Sequence, residues 1–437
     1  MSHTRLTPKA LEIDLYKQGF EGVCKLGRAS DGKKLSDLVE RISEPMVIAL
    51  DAPWGAGKSV FLKCWVGAHK LENNGTAETV YFDAFKHDFM DDPLIGLTGA
   101  ISERLEANPK TKFNWQKAKQ AASKLVRPLF RIALSVATVG ATEAASSAVD
   151  PALSAGSKEL EDASKTFWEK EEGKRAAMEN FRTTLEQVAA EQKLVIVVDE
   201  LDRCRPDYAL SLLEVVKHFF DVDNVHFVLG VNLRELANSV RARYGEKVQA
   251  ERYLQKFVTL SMPLIPQPSR AGTSQTQIRY FRKVAQDIGL CDTWKEDWIA
   301  QYLSQVIHHN HLSLRDVEKI ATLAMVTPEP SHRMHAALHL YVGALIMQVI
   351  APSLIIKARN KQLSDDDFFT IFHFRDRRKG TPDGEPHEVW TLATWDRQKT
   401  RPVYLDDAST SLFDDKDPRE TLSQIIAETL DVFRLMA

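Results

Sequence analysis

The sequence predicts an α/β fold in which a parallel sheet carries a large helical insertion and is followed by further helices. Three apolar runs predict the strands, at residues 46–50, 194–200 and 225–232. They are rich in Val, Ile and Leu with little polar alternation, as in strands buried on both faces of a parallel sheet. A helical pattern follows each of them, and strands that alternate with helices predict a doubly wound core.

Length and composition place the chain among ordinary globular proteins. Its 437 residues indicate one enlarged domain or two to three domains. Hydrophobic residues make up 44% and charged residues 27%, and the net charge of −3 gives no overall attraction to nucleic acid or anionic membranes. The start of the chain lacks the apolar run of a signal peptide, and four widely spaced cysteines fit neither a disulfide framework nor a zinc knuckle. A cytoplasmic protein is therefore expected.

The first strand leads into the most specific motif of the chain, APWGAGKS at residues 52–59, which opens a helical pattern. It matches the phosphate-binding loop except that Ala52 stands where the first glycine usually lies. Gly55 and Gly57 permit the backbone turns that aim N–H groups at phosphate oxygens. The alternative is a glycine-rich turn with an incidental lysine. The predicted nucleotide ligands are Pro53, Trp54, Gly55, Ala56, Gly57, Lys58, Ser59 and Val60.

Side chains of this loop and of a later strand predict the chemistry. Lys58 supplies a cation for the β- and γ-phosphates of ATP, and Ser59 offers its hydroxyl to Mg²⁺. A second strand is predicted at 79–85, and the run at 194–200 ends in Asp199 and Glu200 at the sheet edge where ligands bind. Asp199 is predicted to hold Mg²⁺ and Glu200 to orient or deprotonate the attacking water. The alternative, capping of the next helix, fits Asp202 or Asp207 better.

The strand at 225–232 ends in Asn232, which we predict to sense the γ-phosphate or the attacking water. A turn or a helix cap before residues 233–240 explains this asparagine equally well.

Composition changes predict the domain boundaries. Residues 94–193 are rich in Ala, Lys, Glu and Gln and form the predicted helical insertion of a nucleotide-binding core at 1–266. Its longest uncharged run near the middle, 132–142, has 11 residues, too few for a membrane helix, so no integral membrane insertion is expected. The prolines at 263–268 mark a boundary to helical patterns at 267–356. Residues 357–437 form an α+β or helical region that ends in an amphipathic helix.

The motifs together resemble the KAP family of P-loop NTPases. The resemblance rests on PWGAGKS, YFDAFKHDFMDDPL, VIVVDELDRCRP and FVLGVNLRELANSVRARYG, and covers about residues 45–266. It implies the additional-strand class of these ATPases, with an extra strand between the phosphate-loop strand and the strand of Asp199. Many members carry transmembrane helices in the insertion. In this chain the insertion has only the short uncharged run at 132–142, so no such helix is expected. Family members often have aspartate at the positions of Glu200 and Asn232.

The helical part beyond residue 266 is interpreted as a lid over the nucleotide. Ser313 and Asp316 have the spacing of a capping box, which places Arg315 in the first turn of a lid helix, where it can reach the γ-phosphate. Arg203, Arg205 and Arg315 are all candidates to complete the site of a neighbouring subunit, which would make the protein a homo-oligomer. For all three arginines the alternative is a surface position or a salt bridge.

Two further clusters of residues have simpler explanations than a binding site. The histidines at 308–311 suggest a metal, but no carboxylate or cysteine set with ligand spacing accompanies them, and a helix-terminal loop is favoured. The basic aromatic stretch 372–379 is suited to nucleic acid, but a solvated loop is favoured.

The leading functional hypothesis is an ATPase whose lid closes on nucleotide binding and reopens on hydrolysis. The resemblance implies partner proteins encoded nearby and a role in bacterial anti-phage defence. The alternatives are a phosphotransferase acting on a small molecule or polynucleotide, and a nucleotide-dependent scaffold with little turnover.

Overall fold

The computed structural model describes 11–24, 26–90, 93–107, 179, 182–183, 185–217, 222–264, 272–290, 293–307, 312–331, 334–373, 384–395, 409, 411–414 and 416–432. The uncharged run at 132–142, the histidines at 308–311 and most of the basic aromatic stretch lie outside these residues. Within the described part of the chain, no helix combines the length and apolarity needed to cross a bilayer.

The core is a parallel sheet of five strands. They are β1 (Met46–Asp51), β2 (Glu78–Asp83), β3 (Leu194–Asp199), β4 (Val225–Val231) and β5 (Leu260–Pro263). Their spatial order is β2-β3-β4-β1-β5, and every neighbouring pair is parallel. β4 thus separates the phosphate-loop strand β1 from β3, so the predicted additional-strand order is confirmed. The register aligns the ends of the strands, because Asp51 lies opposite Val231 and Asp199 opposite both Gly230 and Asp83.

Helices cover both faces of the sheet. The helices of the core are α1 (Ala29–Arg41), α2 (Lys58–Leu71), α3 (Ala84–His87), α4 (Pro93–Ala107), α5 (Pro206–Lys217), α6 (Leu233–Tyr244) and α7 (Ala250–Leu254). Alternate residues of β3 enter two different hydrophobic clusters: Ile196 faces α4, α5 and α6, whereas Val197 faces α1 and α2. The apolar runs of β1, β3 and β4 are continuous because these strands are buried on both faces.

The predicted strands form close to their expected positions, but β5 was not predicted. It has four residues at the edge of the sheet, and Leu260 is 43% exposed. Since neither face is fully buried, no apolar run marks it in the sequence. Its last residue, Pro263, is tolerated because an edge strand does not need every N–H group.

Beyond the sheet, the described residues are helical. The helices are α8 (Gly272–Ile288), α9 (Thr293–Ile307), α10 (Leu314–Val326), α11 (His335–Ile350), α12 (Pro352–Arg359), α13 (Asp365–Phe369), α14 (Gly384–Thr394) and α15 (Pro418–Ile425), which continues as a π-helical turn, Ile426–Leu430. One hydrophobic cluster takes side chains from Phe281 to Leu430, with Trp390 stacked on Phe368 at 4.0 Å between ring centres. The expected division at residue 356 stays a prediction, since side chains from both sides of it share this core.

Candidate nucleotide-binding and hydrolytic site

The predicted phosphate loop connects β1 to α2 at the carboxyl edge of the sheet. Gly55 and Gly57 adopt positive φ angles of 79° and 83°, and Gly57 directly precedes the first turn of α2. Residues other than glycine rarely adopt this conformation, so both glycines are required by the backbone. The N–H groups at the start of α2 then face the loop, where helix N-termini bind anions.

Lys58 lies buried beneath the loop. Its Nζ donates a hydrogen bond to the carbonyl oxygen of Ala52 at 2.6 Å and lies 3.8 Å from Oδ2 of Asp202. Burial lowers the pKa of Lys58, and the nearby carboxylates of Asp202 and Asp199 oppose this shift. The ammonium group is therefore held at the loop by acceptors that a phosphate oxygen can replace.

Asp199 ends β3 with its side chain buried. Its Oδ2 accepts a hydrogen bond from the hydroxyl of Tyr81 at 2.7 Å, and its Oδ1 accepts one from the amide of Glu200 at 2.9 Å. Burial raises the pKa of Asp199 to about 6, although the hydrogen bond from Tyr81 favours the charged form. A divalent cation beside this carboxylate would favour the charged form further.

Glu200 comes close to Ser59, as the two motifs require. The Ser59 hydroxyl donates to Oε1 of Glu200 at 3.3 Å, and Arg203 forms an ion pair with the same oxygen at 3.0 Å. Glu200 has a φ of 58°, a left-handed conformation that costs a non-glycine residue about 1 to 2 kcal/mol. Such strain is found mainly at functional sites, where the surrounding structure holds it in place.

Asp202 connects three parts of the site and was not predicted to belong to it. It is buried, and its Oδ2 accepts hydrogen bonds from Nε1 of Trp54 at 2.7 Å and from the amide of Asn232 at 2.9 Å. Together with the contact to Lys58, these bonds connect the phosphate loop, the turn after β3 and the end of β4. Helix capping, the role considered for Asp202 from the sequence, is not what its side chain does. Asp207, in contrast, lies exposed in the first turn of α5.

Asn232 caps α6. Its side-chain oxygen accepts a hydrogen bond from the amide of Arg234 at 3.2 Å, which is the capping arrangement. Its position at the tip of β4, beside Asp202, keeps it at the same edge as Glu200. The predicted sensor role stays a prediction.

The first turn of α10 contacts the phosphate loop directly. The amide of Leu314 donates to the carbonyl oxygen of Gly55 at 3.1 Å, and a methyl group at Gly55 would lie 2.9 Å from Oγ of Ser313 and 3.1 Å from Cβ of Arg315. Ser313 and Asp316 form the capping box that their spacing predicted. Arg315 is exposed and makes no ion pair with any residue that the structure describes. Its placement in the first turn of a helix beside the loop matches the expectation.

An arginine before α1 also contacts the loop. Nη1 of Arg28 donates to the carbonyl oxygen of Ala56 at 2.8 Å, and the guanidinium group is buried. Burial lowers the pKa of Arg28. A methyl group at Gly57 would lie 3.4 Å from Leu314, 3.5 Å from Arg28 and 3.7 Å from Leu26, so all three side chains pack close to the loop here. Nothing in the sequence near residue 28 indicates this contact, which depends on the packing of α1 against α2.

The remaining sequence candidates lie apart from this centre. Arg205 donates to the carbonyl oxygens of Asp88 and Met90, so it forms contacts within its own chain. Phe372, the first aromatic residue of the stretch considered for nucleic acid, is buried in the helical core and is not available for base stacking.

The residues present fit ATP and Mg²⁺. The loop offers N–H groups and the ammonium of Lys58 to phosphates. Ser59 and Asp199 offer the oxygen ligands that Mg²⁺ prefers, and Glu200 lies beside them. This combination of phosphate loop, acidic strand end and strand order defines a P-loop nucleotide-binding protein of the additional-strand class.

Comparison with known proteins gives the family. The family model described as KAP family P-loop domain matches residues 30–328, about two thirds of the chain, and the protein belongs to this family. The match extends past β5 into α10, so it includes the helix that contacts the phosphate loop. No curated protein matches the chain.

Solved structures give weaker similarities. The chain is similar to the ORC2 protein of Aeropyrum pernix in ADPNP-ADP complexes, with a TM-score of 0.34, 12% identity and 94% of each chain covered. The ADP form of the same protein gives a TM-score of 0.32 and 12% identity over 72% of this chain and 73% of that one. These values are too low to extend the properties of that protein to this chain.

Proposed function

We propose that this KAP protein hydrolyses ATP and uses the reaction to release and re-dock its helical lid. One observation carries the proposal: the start of α10 is hydrogen-bonded to the phosphate loop through Leu314 and Gly55, at 3.1 Å. A nucleotide bound in the loop would therefore lie close to the start of α10.

Each side chain of the site has a separate role in the proposed hydrolysis. Lys58 and the loop amides would hold the phosphates, and Ser59 and Asp199 would hold Mg²⁺, whose charge would neutralise that of the phosphates. Tyr81 fixes the orientation of the Asp199 carboxylate through its hydroxyl group. Glu200 orients the attacking water and accepts its proton, once its carboxylate leaves Ser59 and Arg203.

The contacts of Glu200 also support regulation of this step. Its carboxylate is bound by Ser59 and Arg203 of the same chain. If the Ser59 hydroxyl binds the nucleotide complex instead, Glu200 loses one of these two partners. Arg315, exposed beside Gly55, supplies a cation for the γ-phosphate when the lid is docked. Loss of that phosphate removes the attraction and favours lid release.

The test measures phosphate release from ATP without any acceptor. We expect release by the natural protein, loss of release with retained ATP binding in Glu200→Gln, and loss of binding in Lys58→Ala. Glu214→Gln on α5 is the matched control and should hydrolyse ATP normally. Transfer of the γ-phosphate to an acceptor would identify a phosphotransferase, and tight binding without release in the natural protein would identify a scaffold.

A second measurement addresses the lid. Arg315→Ala should lower the rate of phosphate release and weaken ATP binding more than ADP binding, because only ATP has the γ-phosphate. Arg279→Ala on α8 is an arginine control from the lid. Equal weakening of ATP and ADP by Arg315→Ala would contradict the proposed contact.

The family membership supports a role in bacterial anti-phage defence, in the cytoplasm and together with partner proteins encoded nearby. In that role, cells carrying Glu200→Gln should lose protection in a plaque assay. Sizing the protein with and without a nonhydrolysable ATP analogue tests the proposed homo-oligomer, and a monomer in both conditions would exclude it. Stimulation of phosphate release by DNA or RNA tests nucleic acid as a partner.

A further inference from the structure

Two histidines and a glutamate from separate helices meet on the surface of the helical part, far along the chain from the nucleotide site. His335 and His339 lie one turn apart at the start of α11, and Glu385 lies at the start of α14. Nδ1 of His335 is 3.1 Å from Oε1 of Glu385, and Nε2 of His339 is 3.8 Å from the same oxygen. One ligand atom from each residue lies within 4.8 Å of the other two.

Trp298 of α9 supports both imidazole rings. It stacks on His339 with 4.2 Å between ring centres and an interplanar angle of 22°, and it meets His335 edge-on at 5.1 Å. His339 is almost completely buried, whereas His335 and Glu385 are exposed to solvent. The cluster is therefore a shallow site with one rigid, buried donor and two accessible ones.

The Tyr302 hydroxyl holds the buried His339 ring through Nδ1. The Tyr302 hydroxyl accepts a hydrogen bond from Nε1 of Trp390 at 3.1 Å and donates to the main-chain oxygen of His339 at 3.3 Å. The same hydroxyl lies 3.2 Å from Nδ1 of His339, so this nitrogen has a hydrogen-bond partner in either tautomer, while Nε2 lies on the side of Glu385. A ring whose second nitrogen is bound in this way is typical of a metal-ligating histidine.

We propose that His335, His339 and Glu385 bind a divalent transition-metal ion, with Zn²⁺ the best fit. Two imidazoles and one carboxylate suit Zn²⁺ better than Mg²⁺ or Ca²⁺, which prefer oxygen ligands alone. Zn²⁺ ligands at about 2.0 to 2.1 Å in a tetrahedron lie about 3.3 Å from one another. The separations of 3.1 and 3.8 Å from Glu385 are close to this value, and all three ligand atoms lie within 4.8 Å of one another, so rotations of the two exposed side chains would bring the set to this spacing.

The two exposed ligands leave room for water or for a donor from a partner at the fourth position. The ion would also connect α11 to α14, on opposite sides of the expected boundary at residue 356. The competing explanation is an exposed ion pair between His335 and Glu385, which contributes at most about 1 kcal/mol to stability and binds no metal. This inference does not depend on the proposed ATPase function.

The experiment uses the full-length protein, treated with EDTA, desalted and titrated with Zn²⁺ or Co²⁺ without nucleotide. We expect one equivalent to bind saturably, with Co²⁺ giving the visible absorption of a tetrahedral site. His335→Ala and Glu385→Gln, both at exposed positions, should each weaken binding at least about 100-fold, more than the loss of an outer-shell partner. Far-ultraviolet circular dichroism confirms that the variants are folded.

Two controls locate the site. His387→Ala on α14 and the double variant His308→Ala/His309→Ala should bind Zn²⁺ like the natural protein. Saturable binding that survives both cluster substitutions, or disappears in either control, would place the ion elsewhere. The absence of saturable binding in the natural protein would overturn the proposal.

Discussion

Asp202 should stabilise the nucleotide site before any nucleotide binds, and removing its carboxylate tests this directly. In Asp202→Ala, Trp54 and the amide of Asn232 lose their acceptor, and the buried Lys58 loses the carboxylate at 3.8 Å. Asp202→Asn keeps one oxygen for these donors but removes the charge. The matched control is Asp207→Ala, an exposed aspartate five residues further along the chain.

The magnitude follows from the contacts. A hydrogen bond to a charged group contributes about 1.5 to 3 kcal/mol, and a donor that stays buried without an acceptor costs about the same range. Trp54 is 45% exposed, so water replaces its lost partner at little cost. The amide of Asn232 and the ammonium of Lys58 are less accessible. We expect Asp202→Ala to lower the free energy of unfolding by about 2 to 4 kcal/mol and Asp202→Asn by about half of that.

Urea unfolding of the nucleotide-free protein, followed by circular dichroism at 25 °C, measures the loss. ATP should stabilise Asp202→Ala more than the natural protein, because the phosphates give Lys58 a new partner. A change below about 0.5 kcal/mol in Asp202→Ala, which is the usual size of a surface substitution, would refute the reasoning. So would an equally large effect of Asp207→Ala.

Three further predictions concern other parts of the fold. Tyr81→Phe removes the hydroxyl that orients Asp199, so the Mg²⁺ concentration for half-maximal phosphate release should rise about 10-fold; an unchanged value would contradict this role. Gly55→Ala places a methyl group 2.9 Å from Oγ of Ser313, which pushes the lid away from the loop, so trypsin should cut at Arg315 at least about 10-fold faster. The control is Gly22→Ala, which has a similar φ of 72° and no neighbour within 4 Å, and it should behave like the natural protein. Burial lowers the pKa of His226 to about 4, so the native state excludes a proton that the unfolded chain binds below its pKa of about 6.5. The free energy of unfolding therefore decreases as the pH falls from 6.5 toward 4. Between pH 7 and pH 5, urea unfolding should show a decrease for His226→Gln that is about 2 kcal/mol smaller than for the natural protein.

The sequence predicted the parts of the site that depend on local pattern. The phosphate loop and the acidic end of β3 each lie within a few residues of a strand, so residue type and spacing identify them. β3 and β4 were recognisable because burial on both faces leaves continuous apolar runs. β5 leaves no such run, since its side chains are largely exposed at the sheet edge.

The missed residues act through contacts between distant segments. Tyr81 reaches Asp199 only because β2 lies beside β3 with Asp83 opposite Asp199, an arrangement that follows from the strand order. Arg28 reaches the loop only because α1 packs on α2. Asp202 lies in a segment that suggests a helix cap, and its partners come from positions 54 and 232. The positions of these residues in the sequence do not reveal that they are close together in the fold.

The shared core of the helical part determines how far along the chain a structural change at the nucleotide site is transmitted. Side chains from Phe281 to Leu430 pack in one cluster, and tightly packed interiors shift as blocks rather than deform gradually. If Ser313 moves with the phosphate loop, α15 therefore moves with it as part of the same rigid block. A small rotation near Ser313 would then give a larger displacement at α15, which lies farther along the helical part.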